Sequence, residues 1–166
     1  MSQSFLLLMG GGAGRDAGLA SIAEQMVRLG VVTSPQDELF VHDGCGLSRR
    51  NLVSTSTFVR VLVAMLQRTA HPEDFASLLP VNCQSGTLKD RLCALRPGSV
   101  KAKTGTMTSV SALSGYLYGD DSAALGVFSI ICNNSELSTP SREAIIDDIV
   151  RLVSAFLRRW SRSLIV

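Results

Sequence analysis

Aromatic residues and clustered charge are scarce in this chain, and their scarcity excludes several protein classes. Only 5% of the 166 residues are Phe, Trp or Tyr, and the formal net charge is +2. No basic run is interleaved with aromatic residues, so we expect no nucleic-acid partner. No apolar run approaches the length of a membrane span, and the stretch at residues 5–9 lacks the basic flank and the length of an export signal. The sequence therefore predicts no membrane span and no signal peptide.

Patterns that bind metals are also missing. The chain has four cysteines, none in a C-x-x-C pair and none near a histidine cluster: Cys45, Cys83, Cys93 and Cys132. We expect no metal and no cofactor. The spacing favours buried free thiols, although one disulfide stays open as an alternative.

The length and composition set the scale of the fold. With 166 residues, of which 46% are hydrophobic, the chain is long enough to bury a core and too short for two large domains. We predict a single domain over residues 1–166.

Periodicity predicts an α+β chain. The first helical pattern runs from Asp16, which would cap it, to Gly30, which would end it. Ser54 opens a second helix, residues 73–79 form a helical turn or loop, and residues 88–95 favour a short helix. Residues 100–106, 111–118 and 123–132 predict strands, with a hairpin turn at residues 119–121. We therefore expect an antiparallel sheet of three or more strands in meander order, packed by helices.

The last helical pattern is the strongest. Thr139 would cap it, and Pro140 occupies its first turn. Its apolar positions recur at helical spacing and are predicted to form one buried stripe across the hairpin. These positions are Ile145, Ile146, Ile149, Val150, Val153, Phe156, Leu157 and Trp160.

The stretch Val-Lys-Ala-Lys-Thr-Gly-Thr at residues 100–106 sets an ammonium, two hydroxyls and a glycine side by side. Side chains alternate along a strand, so Lys103 and Gly105 would share one surface. Glycine leaves no side chain between the backbone and a bound molecule, and Lys103 adds a positive charge beside it. The pattern predicts a strand that binds an extended peptide ending in a carboxylate. The alternative is a polar edge strand with a solvated lysine.

A second polar stretch lies at residues 43–51. Its Asp-Gly and Cys-Gly pairs predict a tight turn with positive φ angles, formed by Asp43, Gly44, Gly46 and Ser48. Backbone amides would face inward and donate to the Asp43 carboxylate. We interpret this segment as a structural turn that braces a nearby site.

The glycine-rich opening offers a different function. Residues 12–17, Gly-Ala-Gly-Arg-Asp-Ala, match the G-x-G-x-x-A form of the dinucleotide fingerprint, and Asp37 and Glu38 follow at a suitable distance. That fold needs repeated strand-helix-strand units in a parallel sheet, which the later pattern does not predict. A dinucleotide-binding domain is the least favoured alternative.

Three sequence blocks resemble, in order and spacing, the C-terminal part of the D-Ala-D-Ala carboxypeptidase/endopeptidase family of low-molecular-mass penicillin-binding proteins. They are DGCGLSRRNL at residues 43–52, LPVNCQSGTL at residues 79–88, and KAKTGT at residues 101–106 followed by VSALSGY. The resemblance covers roughly residues 30–157, and Cys45 stands where the family usually has serine. It implies a penicillin-binding/β-lactamase-like fold and serine acyl transfer on peptidoglycan stem peptides, in a family that works outside the bacterial cytoplasm.

The resemblance also implies roles for the Lys-Thr-Gly-Thr segment (residues 103–106). Lys103 would be catalytic, attracting the terminal carboxylate and supporting the proton relay. Thr104, Gly105 and Thr106 would bind the substrate, a stem peptide or a β-lactam, and the Thr106 backbone N–H would form half of an oxyanion hole.

The S-x-x-K motif that supplies the family's nucleophile has no counterpart here. The lysines are Lys89, Lys101 and Lys103, and none has a serine three positions earlier; S-x-N is also missing. We therefore predict a C-terminal portion of such an enzyme, inactive alone, with the N-terminal half as a partner. The alternative is a non-catalytic module that binds peptidoglycan peptides or another protein.

Overall fold

A computed structural model of the chain describes residues 14–33, 39–68 and 71–163, together with residues 4, 9, 11 and 12. The chain divides into two compact units, Met1–Thr69 and Ala70–Val166. A single domain over residues 1–166 stays a prediction. The apolar run at residues 4–9, whose pattern fits either a strand or the end of a helix, falls largely outside the described residues, as do Asp37 and Glu38 of the dinucleotide interpretation.

Two helices are described in the first unit. Helix α1 (Arg15–Arg28) begins after Gly14, so the prediction that Asp16 caps it is wrong. Asp16 lies within the first turn, where its negative charge interacts favourably with the positive end of the helix dipole. The helix ends where Gly30 adopts a φ angle of +62°, as predicted. Helix α2 (Thr55–Gln67) begins after Ser54, whose side chain accepts a hydrogen bond from the Thr57 N–H, which confirms that prediction.

The described residues of the first unit also form a short antiparallel strand pair and a small core. Strand β1 (Leu39–Phe40) pairs with β2 (Leu52–Val53). Buried Val31, Val32 and Ala64 form the core between the end of α1 and helix α2.

The second unit is built on a three-stranded sheet. Helix α3 (Pro72–Ser77) and the 3₁₀ turn Gly86–Leu88 precede strands β3 (Val100–Met107), β4 (Val110–Tyr118) and β5 (Ala124–Cys132), and helix α4 (Thr139–Ser163) follows. The strand order is β3-β4-β5 with antiparallel pairing throughout, which confirms the predicted α+β class and the meander order. The described strands contain no parallel pair, so they do not supply the sheet that the dinucleotide interpretation needs.

One face of this sheet packs against α4. The core includes Val100 and Ala102 of β3, Leu113 of β4, and Ile146 and Val150 of α4. Because alternate residues of β3 point to opposite faces, Lys101, Lys103 and Gly105 lie on the face away from α4. The predicted alternation along β3 is confirmed, since Val100 and Ala102 are fully buried while Lys103 is exposed.

The predicted burial of the α4 apolar stripe is wrong for five of its eight members. Ile146 and Val150 are each 1% exposed and Leu157 packs beside them. The other five positions are between 38% and 67% exposed, and we call them the exposed apolar stripe: Ile145, Ile149, Val153, Phe156 and Trp160. A single helix turns only part of its circumference toward one sheet, and the sequence places apolar residues over a wider arc than that.

Helix α4 begins with a serine cap. The hydroxyl of Ser138 accepts a hydrogen bond from the Ser141 N–H, so the cap lies one residue before the predicted Thr139. Within the described ranges, no helix is both long enough and apolar enough to cross a bilayer.

Residues 88–95 form turns, so the short helix predicted there is wrong. Leu92 adopts a φ angle of +56°, which an α-helix does not allow. A disulfide joins Cys83 to Cys93, with 4.9 Å between their Cα atoms, and corrects the expectation of free buried thiols. Of the two free cysteines, Cys45 is exposed and Cys132 is half-buried. A covalent bond between residues ten positions apart therefore holds this loop, and the helical periodicity of residues 88–95 does not determine its structure.

Candidate functional site

Strand β3 lies at the edge of the sheet, and its outer edge is paired at its beginning by residues 80–82. The N–H of Asn82 donates to the Val100 carbonyl, and the Ala102 N–H donates to the Pro80 carbonyl, both at 3.0 Å. Along an antiparallel strand the backbone groups of every second residue point to the same side. The N–H and C=O groups of Thr104 and Thr106 therefore point to this outer edge, beyond the segment that residues 80–82 cover.

The ammonium group of Lys103 lies at the same edge. Its Nζ donates to the backbone carbonyl of Thr104 at 2.5 Å. The other lysine of β3 is differently engaged, because the Lys101 Nζ lies over the Tyr118 ring, 5.2 Å from its centroid. Lys103 is thus the β3 lysine whose charge sits beside outward-facing backbone groups, an arrangement suited to an extended peptide with an anionic end.

Gly105 keeps the surface beside Lys103 open. A Cβ atom built at Gly105 approaches the Ala112 Cβ at 3.4 Å, an ordinary contact, so the glycine is not required by packing inside the sheet. Gly105 itself is exposed. A side chain at this position would add bulk to the sheet face that also carries Lys103.

The side chain of Thr104 is hydrogen-bonded to the loop that precedes β3. Its hydroxyl donates to the Thr87 hydroxyl at 2.9 Å. Thr87 lies in the 3₁₀ turn directly after Gly86, which has a φ angle of +55°, and directly before the fully buried Leu88. Sequence reasoning missed Thr87. The available signal was the Gly-Thr pair between two cysteines ten residues apart, a spacing that a disulfide can close.

Asn82 fixes the same loop from within. Its side-chain Nδ2 donates to the carbonyls of Leu92 at 3.1 Å and Arg96 at 3.2 Å, and its Oδ1 accepts from the Val100 N–H at 2.9 Å. Asn82 is fully buried. One amide side chain therefore ties both ends of the disulfide loop to the first residue of β3.

An ion pair anchors the outer side of the loop to α4. The guanidinium of Arg91 donates to Asp147 through two nitrogens, at 2.7 and 3.2 Å, and lies 3.2 Å from a Glu143 oxygen. The side chains of Arg91 and Asp147 are each 15% exposed, so water screens this pair only in part.

The Asp43 turn belongs to the first unit. The Asp43 carboxylate accepts bonds from the Gly46 and Ser48 N–H groups at 2.7 Å each and from the Asn51 side chain at 3.0 Å. The Asn51 amide is the largest cause of a lowered Asp43 pKa, and the two backbone donors add to it against a desolvation effect that raises the pKa. Asp43 thus braces its own turn, while the position of this turn beside a functional site stays a prediction.

Burial affects the two tyrosines of β4. Tyr116 is fully buried, and burial, with a smaller contribution from neighbouring Tyr118, raises its pKa to about 12. Burial also raises the pKa of Tyr118. Both phenols are neutral at physiological pH, so the positive charge of Lys103 has no tyrosinate partner on this sheet.

The fold defines the class of protein. It matches a crystal structure of penicillin binding protein 4 (dacB) from Haemophilus influenzae in complex with a novel β-lactam, with a TM-score of 0.69, 21% identity, and coverage of 98% of this chain and 37% of that one. A second crystal structure of the same protein gives a TM-score of 0.62, 22% identity, and coverage of 90% and 32%. The chain thus has part of a penicillin-binding-protein fold.

The sequence then defines the family. The profile of the D-Ala-D-Ala carboxypeptidase 3 (S13) family matches residues 9–156, and the chain belongs to this family. This confirms the resemblance stated from the three sequence blocks.

Two curated relatives carry carboxypeptidase names. The chain is 41% identical over 149 residues to the D-alanyl-D-alanine carboxypeptidase of an Actinomadura species, covering 85% of this chain and 26% of that protein. It is 38% identical over 121 residues to penicillin-sensitive carboxypeptidase A of Dictyostelium discoideum, covering 69% and 23%. The chain therefore spans about a quarter of the length of these relatives.

Proposed function

We propose that this chain carries the carboxylate-binding strand of a serine-type D-Ala-D-Ala carboxypeptidase/endopeptidase. Its ligands are peptidoglycan stem peptides that end in D-Ala-D-Ala, and β-lactams that imitate them. The site of action is the bacterial cell wall, outside the cytoplasm. The observation that carries the proposal is the Lys103 ammonium at the open edge of β3, inside a sequence that belongs to the carboxypeptidase family.

The chemistry of this edge supports peptide binding. A peptide laid along β3 would exchange backbone hydrogen bonds with the outward groups of Thr104 and Thr106. Its terminal carboxylate would displace the Thr104 carbonyl as the partner of the Lys103 ammonium, since a charged acceptor forms the stronger bond. The outward N–H of Thr106 would then donate to the carbonyl under attack, as half of an oxyanion hole, where one such donor typically contributes about 3 kcal/mol.

The attacking group lies outside these 166 residues in this proposal. A serine nucleophile needs a neighbouring base, and no serine here stands three positions before a lysine. Hydrolysis would therefore require a segment bearing S-x-x-K, in the same polypeptide or in a partner. The missing motif also favours a second candidate function, a non-catalytic module that uses the same strand to bind peptides.

Peptide binding is the direct test. A short peptide ending in D-Ala-D-Ala, and the same peptide with its terminus amidated, are titrated into the ¹⁵N-labelled chain. We expect the free carboxylate to shift the amide signals of residues 103–106 and the amidated peptide to bind at least about tenfold more weakly. Lys103→Gln should weaken carboxylate binding to a similar extent. Lys89→Gln, which removes another exposed lysine, is the matched control and should leave the affinity within about twofold.

Equal affinity for the two peptides, or equal affinity of the Lys103→Gln and Lys89→Gln variants, would refute the carboxylate role.

A second experiment locates the nucleophile. Incubation with penicillin followed by intact-mass spectrometry should show no covalent adduct, and a stoichiometric adduct would mean that a serine of this chain attacks. Coding DNA with S-x-x-K in frame upstream favours the hydrolase, and unrelated upstream sequence favours the binding module.

A further inference from the structure

We propose that Thr87 is a positioning residue of the carboxylate site, acting through Thr104; this inference rests on the proposed function. The hydroxyls of the two residues, 17 positions apart in sequence, are paired at 2.9 Å. Successive side chains of a strand point to opposite faces, but the Lys103 Nζ reaches back to the Thr104 carbonyl at 2.5 Å, so the ammonium and the Thr104 hydroxyl both adjoin the backbone of one residue. The hydrogen bond of the Thr104 side chain is to Thr87, outside the Lys-Thr-Gly-Thr segment.

The loop around Thr87 is built to hold it in place. The Cys83–Cys93 disulfide closes the loop, and the Cys83 N–H donates to the Leu88 carbonyl at 2.9 Å. Leu88, next to Thr87, is fully buried in the core. Gly86, on the other side, packs against Pro80, where a Cβ atom would meet the ring at 3.1 Å. An exposed threonine between such anchors has little freedom to move away from Thr104.

The hydrogen-bond chemistry of two paired hydroxyls gives the pair its use. Each hydroxyl has one proton and can also accept, whereas a carboxylate only accepts. In the structure, Thr104 donates to Thr87. When a carboxylate binds beside Lys103, the two hydroxyls rotate so that Thr87 donates to Thr104 and the Thr104 proton turns to the ligand. The accepted bond also polarises the Thr104 hydroxyl and strengthens its donation.

The first measurement reports on position without any ligand. Three-bond scalar couplings to the Thr104 methyl carbon give its χ1 distribution in the labelled chain. We expect one dominant rotamer in the unmodified chain and in Thr87→Ser, which keeps the hydroxyl, and averaging among rotamers in Thr87→Val, which keeps only the shape. A single Thr104 rotamer in Thr87→Val would overturn the proposal.

The second measurement reports on binding. Thr87→Val should weaken the D-Ala-D-Ala carboxylate by about three- to tenfold, leave the amidated peptide unchanged, and be restored by Thr87→Ser. In a Thr104→Val background the Thr87→Val change should have no further effect. Thr55→Val, at an exposed threonine of α2, is the matched control for loss of a surface hydroxyl.

The two measurements separate this proposal from the proposed function. If the unmodified chain binds neither peptide, the proposed function fails, and the χ1 comparison still decides whether Thr87 positions Thr104. If the carboxylate binds and Thr87→Val binds it equally well, the carboxylate strand stands and Thr87 has no part in it. An equal loss for the carboxylate and the amidated peptide would indicate general loosening of the loop and would also overturn the positioning role.

Discussion

Replacing Asn82 by alanine should destabilise the second unit more than any exposed substitution in the same loop. The side chain makes three hydrogen bonds, two donated to the carbonyls of Leu92 and Arg96 and one accepted from the Val100 N–H. Asn82 and Val100 are both fully buried, so water does not readily replace the lost groups. The three lost hydrogen bonds differ in their cost in free energy.

The two carbonyls keep other partners after truncation, whereas the amide does not. The Leu92 carbonyl also accepts from the Leu95 N–H, and the Arg96 carbonyl also accepts from Ser99. Each therefore loses one bond, worth about 0.5–1.5 kcal/mol. The Val100 N–H faces the vacated space, and leaving it unpaired costs about 1–3 kcal/mol. We expect the free energy of unfolding to fall by about 4 kcal/mol, a large part of the 5–15 kcal/mol typical of a domain.

Urea unfolding followed by near-ultraviolet circular dichroism of the tyrosines measures this loss. Both tyrosines lie on β4, so their signal reports on the second unit. Gln84→Ala is the matched control, since Gln84 is exposed in the same loop and its truncation should change stability by less than about 0.5 kcal/mol. A loss below about 1 kcal/mol for Asn82→Ala, with an unchanged urea dependence, would refute the claim that this amide ties the loop to β3.

Two further predictions follow from the loop and from the turn. Arg91→Ala should lower the free energy of unfolding by about 2–3 kcal/mol, because Asp147 keeps a largely buried carboxylate without its partner; a urea midpoint equal to that of the unmodified chain would contradict this. The pKa of Asp43 is lowered from its ordinary value of 3.8, so the turn gains stability above that value and loses it as the pH falls through the lowered pKa. Asn51→Leu should raise the pKa of Asp43, measured by an NMR titration of the turn amides. An unchanged pKa would show that Asn51 does not cause the lowering.

Local patterns predicted the elements that local physics determines. The alternation of Val100, Ala102 and Lys103 gave the strand and its buried face, and Ser54 marked the start of α2 through its own hydrogen bond. The Asp-Gly and Cys-Gly pairs gave a turn whose amides donate to Asp43. Each of these depends on residues within a few positions of one another, so the sequence carries the whole signal.

The errors fall where distant residues decide. Residues 88–95 have the composition of a helix, but three contacts impose turns on them. These are the hydrogen bonds of the Asn82 side chain, the Cys83–Cys93 disulfide, and the ion pair of Arg91 with Asp147, which lies 56 residues later in the sequence. The Thr87–Thr104 pair escaped notice for the same reason, since nothing in either segment indicates that the two hydroxyls meet. On α4 the apolar positions cover more of the helix than one sheet can bury, and the sequence does not say which arc faces inward.

The exposed apolar stripe of α4 contains an intrinsic fluorescent probe. Trp160 is the sole tryptophan and is 60% exposed at the C-terminal end of that stripe. Indole emission is red-shifted in water and moves to shorter wavelength in apolar surroundings. The emission maximum of the unlabelled protein will therefore show whether this face of the helix is exposed to solvent or buried against another surface.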